Sequence, residues 1–215
     1  MDASSCEQEW ESARRGSRLS AESLAGHQQA MDPEQRKLEQ LKQLDEARLA
    51  GRAERAAGTK VHGVIPNHFF AAASSERRDV FIDGHYYGCI SLAQAVAEGL
   101  ARYLGDLHQV GAKKDPAQRV HRLQAKGAIT KSTLDAFLRL WGNDRNTFHH
   151  INPDIPTGHA ELERRAEECV KCLFEIESEV FAFDIADGKI VPKKPAYWPK
   201  SDPEHLEVFL RLNGH

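Results

Sequence analysis

The apolar residues in the centre of this sequence recur at the spacing of an α-helix. Between residues 90 and 104 they are Ile90, Leu92, Ala93, Val96, Ala97, Leu100 and Leu104. On a helix of 3.6 residues per turn, this spacing places most of them on one face, and that face must be buried against another element. No segment alternates apolar and polar residues for long enough to require a β-sheet. The chain is therefore expected to be all-α.

Local signals divide the chain into several helices. The first is expected to begin after Asp32, an N-cap that is followed by Pro33 at the first helical position, and to end near Gly58. The others are a long helix over residues 75–104 that ends at Gly105, a short one over 116–125, one capped by Thr130 or Ser132, a long one that begins at Thr157 or Gly158, and a short last one over 204–212. Short connections between amphipathic helices predict an antiparallel bundle of four to five helices with an N-terminal helical extension.

The composition predicts four parts. They are a disordered tail over residues 1–30, an N-terminal helix and connector over 31–73, the helical bundle over 74–188, and a C-terminal arm over 189–215. The tail has few periodic apolar residues, as is typical of segments that form no core. The connector is expected to be irregular over residues 61–73, because Gly63 and Pro66 interrupt it. The arm contains several prolines, so at best it forms a short edge strand.

The core of the bundle is predicted from helical periodicity. Its members are Ile90, Val96, Leu100, Leu134, Phe137, Leu138, Trp141, Val170, Leu173 and Phe174. Cys169 and Cys172 have a CxxC spacing, but no second pair exists to complete a zinc site, and on a helix both thiols share one face. Packing is therefore the favoured role for the two cysteines. No metal site is predicted.

The sequence predicts a cytoplasmic location. No apolar run approaches the ~20 residues that a membrane-spanning helix needs, and the N-terminus shows no secretory signal. The four cysteines do not form a disulfide framework, which is consistent with a reducing compartment. The formal net charge of -3 argues against a general nucleic-acid coat, yet it allows a local basic cleft.

One polar run carries groups suited to a phosphate diester. Its residues are Asp144, Arg145, Asn146, Thr147, Phe148, His149 and His150. Arginine offers planar donors that match two phosphate oxygens, and histidine exchanges protons near neutrality. The run follows the apolar segment that ends at Trp141, so it is expected at the end of a packed helix, reachable from solvent.

Arg145 and Asn146, followed by three residues and then His150, resemble the Arg-x4-His motif of HEPN-domain (higher eukaryotes and prokaryotes nucleotide-binding) ribonucleases. The segment 86–104 also resembles that family's long helix of small and aliphatic residues. The resemblance covers residues 79–184. It implies a small helical bundle, a homodimer whose two motifs face one cleft for RNA, and cleavage without a metal or other cofactor that leaves a cyclic phosphate and a free 5′-hydroxyl.

The resemblance also implies roles for the motif residues. Arg145 would stabilise charge on the phosphorane, His150 would transfer protons, and Asn146 would orient the histidine or a phosphate oxygen. On a straight helix, however, Arg145 shares a face with His149, whereas His150 lies about 140° away. Either the helix bends here, or the residues that meet come from two protomers, or His149 is the proton carrier.

Three further residues are candidates for substrate binding. Asp144 adjoins the motif, and Tyr86 and Tyr87 carry rings of the kind that stack on bases. The alternative for the two tyrosines is that they seal the end of the bundle. The alternatives for the motif are a solvated Arg145 in an ion pair and histidines that cap a helix C-terminus, where positive charge is favoured.

Two functions follow. The first is a HEPN-type endoribonuclease, a toxin or defence effector restrained by an antitoxin or sensor protein. The second is a non-catalytic HEPN-like module that binds a nucleotide or a partner protein. The N-terminal helix favours the second function, because it carries a narrow apolar stripe that must pack against the protein's own core or a partner. The stripe is formed by Leu38, Leu41, Leu44 and Leu49. The pairs Lys113-Lys114 and Lys193-Lys194 are expected in solvated loops.

Overall fold

The structure, a computed structural model, describes residues 32–111, 115–142, 158–198 and 209–210. This part of the chain contains six α-helices: α1 (Pro33–Gly58), α2 (His68–Ile82), α3 (Tyr86–Leu107), α4 (Pro116–Ala125), α5 (Lys131–Trp141) and α6 (His159–Val180). The strands are β1 (Val64–Ile65), β2 (Phe183–Ala186), β3 (Lys189–Pro192) and β4 (Phe209–Leu210), and a 3-10 turn covers Pro195–Tyr197. The predicted helical bundle is confirmed, with a small hairpin added to it.

The chain divides into two compact units, Met1–Ala50 and Gly51–His215. Apart from Asp32, the described residues of the first unit belong to α1, which begins at Pro33 and runs to Gly58 as predicted. The four leucines of the α1 stripe are between 49% and 62% exposed. Helix α1 therefore has the predicted length, and its leucine stripe faces solvent.

The core of the second unit forms around α3. This helix packs against α2, α4 and α6, and α5 packs against α4 and α6. Eight of the ten predicted core residues are buried, Leu138 is partly buried against the core, and Phe174 is half-buried. Among the helices that the structure describes, none combines the length and the apolar content that a membrane crossing requires.

The single long helix predicted for residues 75–104 is wrong. The chain breaks into α2 and α3 at Gly84, whose φ of +81° lies in the left-handed region that glycine adopts without strain. The amide of His85 closes the break by donating to the carbonyl of Val80 at 2.8 Å. Gly105 does not end α3, because the helix continues to Leu107 and buries this glycine.

The connector predicted over residues 61–73 is more regular than expected. Asn67 caps α2 by accepting hydrogen bonds from the amides of Phe69 and Phe70. Before it, β1 pairs antiparallel with β4, so that Ile65 lies opposite Phe209. The last helix predicted over 204–212 is therefore wrong at Phe209–Leu210, and the rest of it lies outside the described residues. Ile65 is fully buried, and strand pairing satisfies backbone groups that water cannot reach.

Helices α4, α5 and α6 begin where the sequence predicts. The side chain of Asp115 accepts from the amide of Ala117, and Thr130, not Ser132, caps α5. Gly158 is the N-cap of α6. The hairpin of β2 and β3 turns at Asp187-Gly188, both with positive φ, as a two-residue Asp-Gly turn requires.

Candidate functional site

The predicted catalytic run lies outside the described residues. Its candidates fall within the segment 143–157 and are Asp144, Arg145, Asn146, His149 and His150. Their roles stay predictions. The structure does describe the two ends of this segment, which are Gly142 after α5 and Gly158 before α6. The residues around Gly142 lie on α3, α5 and α6.

A pocket of about 450 Å³ lies where α5 ends. Helix α3 contributes Ile90 and Gln94 to its wall, α5 contributes its last residues and Gly142, and α6 contributes its first half. The polar residues in this wall are Gln94, Arg139, Trp141, Arg164, Arg165 and Glu168. Its volume is within the range of about 300–1,000 Å³ that is typical of small-molecule sites. We call this cavity the α3/α5/α6 pocket.

Carboxylates orient the arginines of this pocket. Arg164 donates from Nε and Nη2 to the two oxygens of Glu161, both at 2.8 Å. Arg165 donates from Nε to Oε1 of the same Glu161 at 2.6 Å. The hydrogen bonds from Arg164 lower the pKa of Glu161, so this carboxylate remains charged and holds both guanidiniums.

The third guanidinium belongs to α5. Nη2 of Arg139 donates to Oε2 of Glu175 at 2.7 Å, and its Nε lies 3.4 Å from Oε1 of Glu168. Among the described residues, three carboxylates pair with the pocket arginines, and of these Glu168 alone lines the pocket. The wall thus carries three guanidiniums, and each of them is paired with a carboxylate of α6.

Tyr86, a predicted substrate-binding residue, is buried at one end of the bundle. Its hydroxyl donates to Oε1 of Glu163 at 2.5 Å and accepts from Nη1 of Arg55 at 3.4 Å. The ring of His159 packs 5.1 Å from the tyrosine ring. Burial, and then the hydrogen bond with Glu163, raise the pKa of Tyr86 to about 12. The phenol is therefore neutral and seals the bundle in this structure.

Arg55 extends this cluster to α1. Its Nε donates to the carbonyl of Ile82 at 2.9 Å, and its Nη1 lies 3.7 Å from Oε1 of Glu163. The last residues of α1, which belong to the second unit, are thereby joined to the end of α2 and the start of α6. Tyr87, the other predicted aromatic residue, is 45% exposed.

The thiols that the structure describes are packing groups. Cys169 and Cys172 are buried as predicted, and so is Cys89. Burial raises the pKa of each of these three thiols to about 12, which removes the thiolate that nucleophilic or metal chemistry needs. In residues 32–111, 115–142 and 158–198, no group of three His, Cys, Asp or Glu side chains is arranged to hold a metal ion.

The two lysines of the pair Lys193-Lys194 differ in exposure. The prediction of a solvated loop is wrong for Lys194, because its Nζ lies 2.6 Å from Oε1 of Glu179 and it is only partly exposed. Lys193 is more exposed and lies 2.9 Å from Asp184. Lys113 and Lys114 lie outside the described residues.

Sequence reasoning missed the arginines of the α3/α5/α6 pocket. Arg164 and Arg165 are spaced three and four residues after Glu161, a pattern usually found on a solvated helix face. Arg139 shows no sequence signal of its own. Only the packing of α5 beside α6 brings the three guanidiniums together.

No protein-family model, curated protein or solved structure matches this chain.

Proposed function

We propose that this protein is a metal-independent endoribonuclease of the HEPN type, in which Arg145, Asn146 and His150 act on a phosphodiester of RNA. The observation that carries the proposal is the set of three guanidiniums in the α3/α5/α6 pocket, which includes Gly142 in its wall. Arg145 follows Gly142 by three residues, so covalent geometry keeps their Cα atoms within about 11 Å of each other. The motif and this arginine-lined pocket are therefore neighbours along the chain.

The proposed reaction uses a nucleophile that belongs to the RNA. A histidine accepts the proton of the 2′-hydroxyl as its oxygen attacks the adjacent phosphorus, and the 5′-oxygen leaves and takes up a proton. The products are a 2′,3′-cyclic phosphate and a free 5′-hydroxyl. The protein has only to position the strand, stabilise charge and move protons, which are the tasks of Arg145 and of His150 or His149.

A homodimer belongs to this proposal. One motif supplies one arginine and two adjacent histidines, whereas two facing copies double the charge and the proton carriers in one cleft. Sedimentation at tens of micromolar tests it, and a strict monomer would count against the dimer. A cytoplasmic location is proposed as well, where the RNA substrates and reduced cysteines are both expected.

The second candidate is a non-catalytic HEPN-like module for binding a nucleotide or a protein. The exposed leucine stripe of α1 favours it, because a helix with such a stripe is suited to a partner surface. If the protein is a ribonuclease, the same stripe would bind an antitoxin or sensor protein that restrains the enzyme. Cleavage of RNA decides between the two candidates.

The test is an incubation of the purified full-length protein with mixed RNA in EDTA. The parent protein should cut and leave cyclic phosphate ends, and DNA of the same sequence should stay intact because it lacks the 2′-hydroxyl. Arg145→Ala should lower the rate by about a hundredfold or more. Arg102→Ala is the matched control, since Arg102 is an exposed arginine of α3 that pairs with Glu98. Equal cleavage by the Arg145 variant, or a requirement for divalent metal, would overturn the proposal.

A further inference from the structure

Two polar atoms of the α3/α5/α6 pocket residues are buried without a hydrogen-bond partner in the part of the chain that the structure describes. They are Oε1 of Gln94 and Nε1 of Trp141. Gln94 is only 2% exposed, and both residues line the pocket. A buried polar group left unpaired destabilises the folded protein, and native proteins keep few of them. The pocket lining thus includes one residue with an unpaired acceptor and one with an unpaired donor, and a ligand that carries both a donor and an acceptor could pair with them.

We propose that the α3/α5/α6 pocket is a base-recognition subsite that holds one nucleobase of the RNA strand. An N–H group of the base donates to Oε1 of Gln94, and a ring nitrogen or carbonyl of the base accepts from Nε1 of Trp141. This inference rests on the proposed function and deepens it, because it assigns the recognition of the strand to residues outside the cleavage motif.

The chemistry of the wall selects a nucleotide over a simple anion. Nucleobase edges present donors beside acceptors, which is the pattern that Gln94 and Trp141 require. A phosphate or carboxylate would satisfy the arginines, but it has no N–H group for the amide oxygen of Gln94. Glu168 is a second acceptor in the wall, and it also favours a ligand that carries donors.

The remaining wall fits the other parts of a nucleotide. Ile90 and Leu140 supply apolar surface for the faces of a base. The guanidiniums of Arg139, Arg164 and Arg165 supply donors for the phosphates on either side of it. A free mononucleotide carries the same chemistry as one unit of a strand. We assign the strand, because three separate guanidiniums on two helices exceed what one phosphate requires.

The test measures binding of a mixed-sequence 2′-O-methyl oligoribonucleotide, which cannot be cleaved through its 2′-oxygen, by fluorescence anisotropy on the full-length protein. Gln94→Leu should weaken binding about tenfold and raise the thermal midpoint of the free protein, because an unpaired polar group is removed from the interior. Gln124→Leu, on α4 away from the pocket wall, is the matched control and should bind like the parent. Trp141→Phe keeps an aromatic ring without the N–H donor and should also weaken binding.

The outcomes separate this inference from the proposed function. If Gln94→Leu folds and both pocket variants bind as the parent does, the base subsite is wrong, even where Arg145-dependent cleavage is observed. If Gln94→Leu does not fold, the Trp141→Phe variant alone is the test, and binding equal to that of the parent would show that the base subsite is wrong. If adenosine monophosphate binds as tightly as the oligonucleotide, the pocket binds a free nucleotide, and the proposal that it binds an RNA strand is wrong. Loss of binding in both pocket variants supports the subsite, whether or not the protein cuts RNA.

Discussion

Nζ of Lys194 lies 2.6 Å from Oε1 of Glu179, and this ion pair joins the segment after β3 to the last turns of α6. The same carboxylate accepts from the amide of Thr130 at 3.0 Å and from the hydroxyl groups of Thr130 and Thr133. Burial opposes ionisation of Glu179, but the bonds from Lys194 and the two threonines outweigh it and lower the pKa of this carboxyl. Glu179 thus anchors the start of α5, the helix that leads to the pocket.

Glu179→Gln should therefore lower the free energy of unfolding by about 1–3 kcal/mol at neutral pH. Because the pKa of Glu179 is depressed in the folded state, its contribution is complete above the ordinary glutamate value of about 4.3 and disappears as the pH falls through the folded pKa. The stability difference between parent and variant, measured by urea unfolding, should shrink in acid. Glu175→Gln, which removes an exposed pair with Arg139, should cost no more than about 1 kcal/mol. A difference that stays constant in acid would contradict the role of this carboxylate.

Phe137→Ala should lower the free energy of unfolding by about 3–5 kcal/mol, since its side chain is 0% exposed and the substitution leaves a cavity. Phe69→Ala is the matched control on the surface of α2, where the ring is 71% exposed, and should change stability by no more than about 0.5 kcal/mol. Chemical unfolding followed by circular dichroism compares the two. Similar losses in both variants would show that α5 does not bury Phe137 in solution.

Gly84→Ala should destabilise the protein by about 1–2 kcal/mol, because an L-residue is strained in the left-handed region. An added Cβ would meet Nη2 of Arg55 at 3.5 Å, an ordinary contact, so the loss reports the backbone and not a clash. Gly63→Ala serves as the comparison, since its φ is not in that region and nothing lies within 4 Å of an added Cβ. A neutral Gly84→Ala would mean that α2 and α3 are joined differently.

The three described thiols should resist alkylation in the native protein at mildly alkaline pH. Burial raises the pKa of Cys89, Cys169 and Cys172 to about 12, so almost no thiolate is present and the reagent has little access. Mass spectrometry after brief treatment with iodoacetamide should locate no label on them, while the same treatment in urea labels all three. Rapid native labelling of Cys172 would show that the α5–α6 interface opens.

His150→Ala should reduce RNA cleavage by about a hundredfold or more if His150 is the proton carrier. His149→Ala is the matched variant one residue away. A larger loss at His149 than at His150 would indicate that the motif is a straight helix, in which Arg145 and His149 share a face. If both variants cut as fast as the parent, neither histidine carries the proton and the proposed mechanism is wrong.

The sequence by itself determined where most helices begin and which face of α3 is buried. Pro33, Asp115 and Thr130 mark helix starts through backbone restriction or through hydrogen bonds to amides two or three residues away. Such signals are local, so they operate whatever the rest of the chain does. The spacing of Ile90, Leu100 and their neighbours likewise identifies the buried face from local periodicity.

The break at Gly84, the pairing of β1 with β4 and the α3/α5/α6 pocket were decided by the tertiary structure. Glycine is tolerated inside a helix as well as at a turn, so only the packing of α2 beside α3 selects its positive φ. Val64 and Leu210 are far apart in sequence and meet because strand pairing satisfies a buried backbone. Arg139 and Arg164 come together because apolar burial docks α5 on α6. That contact depends on the whole core, and no short stretch of sequence encodes it.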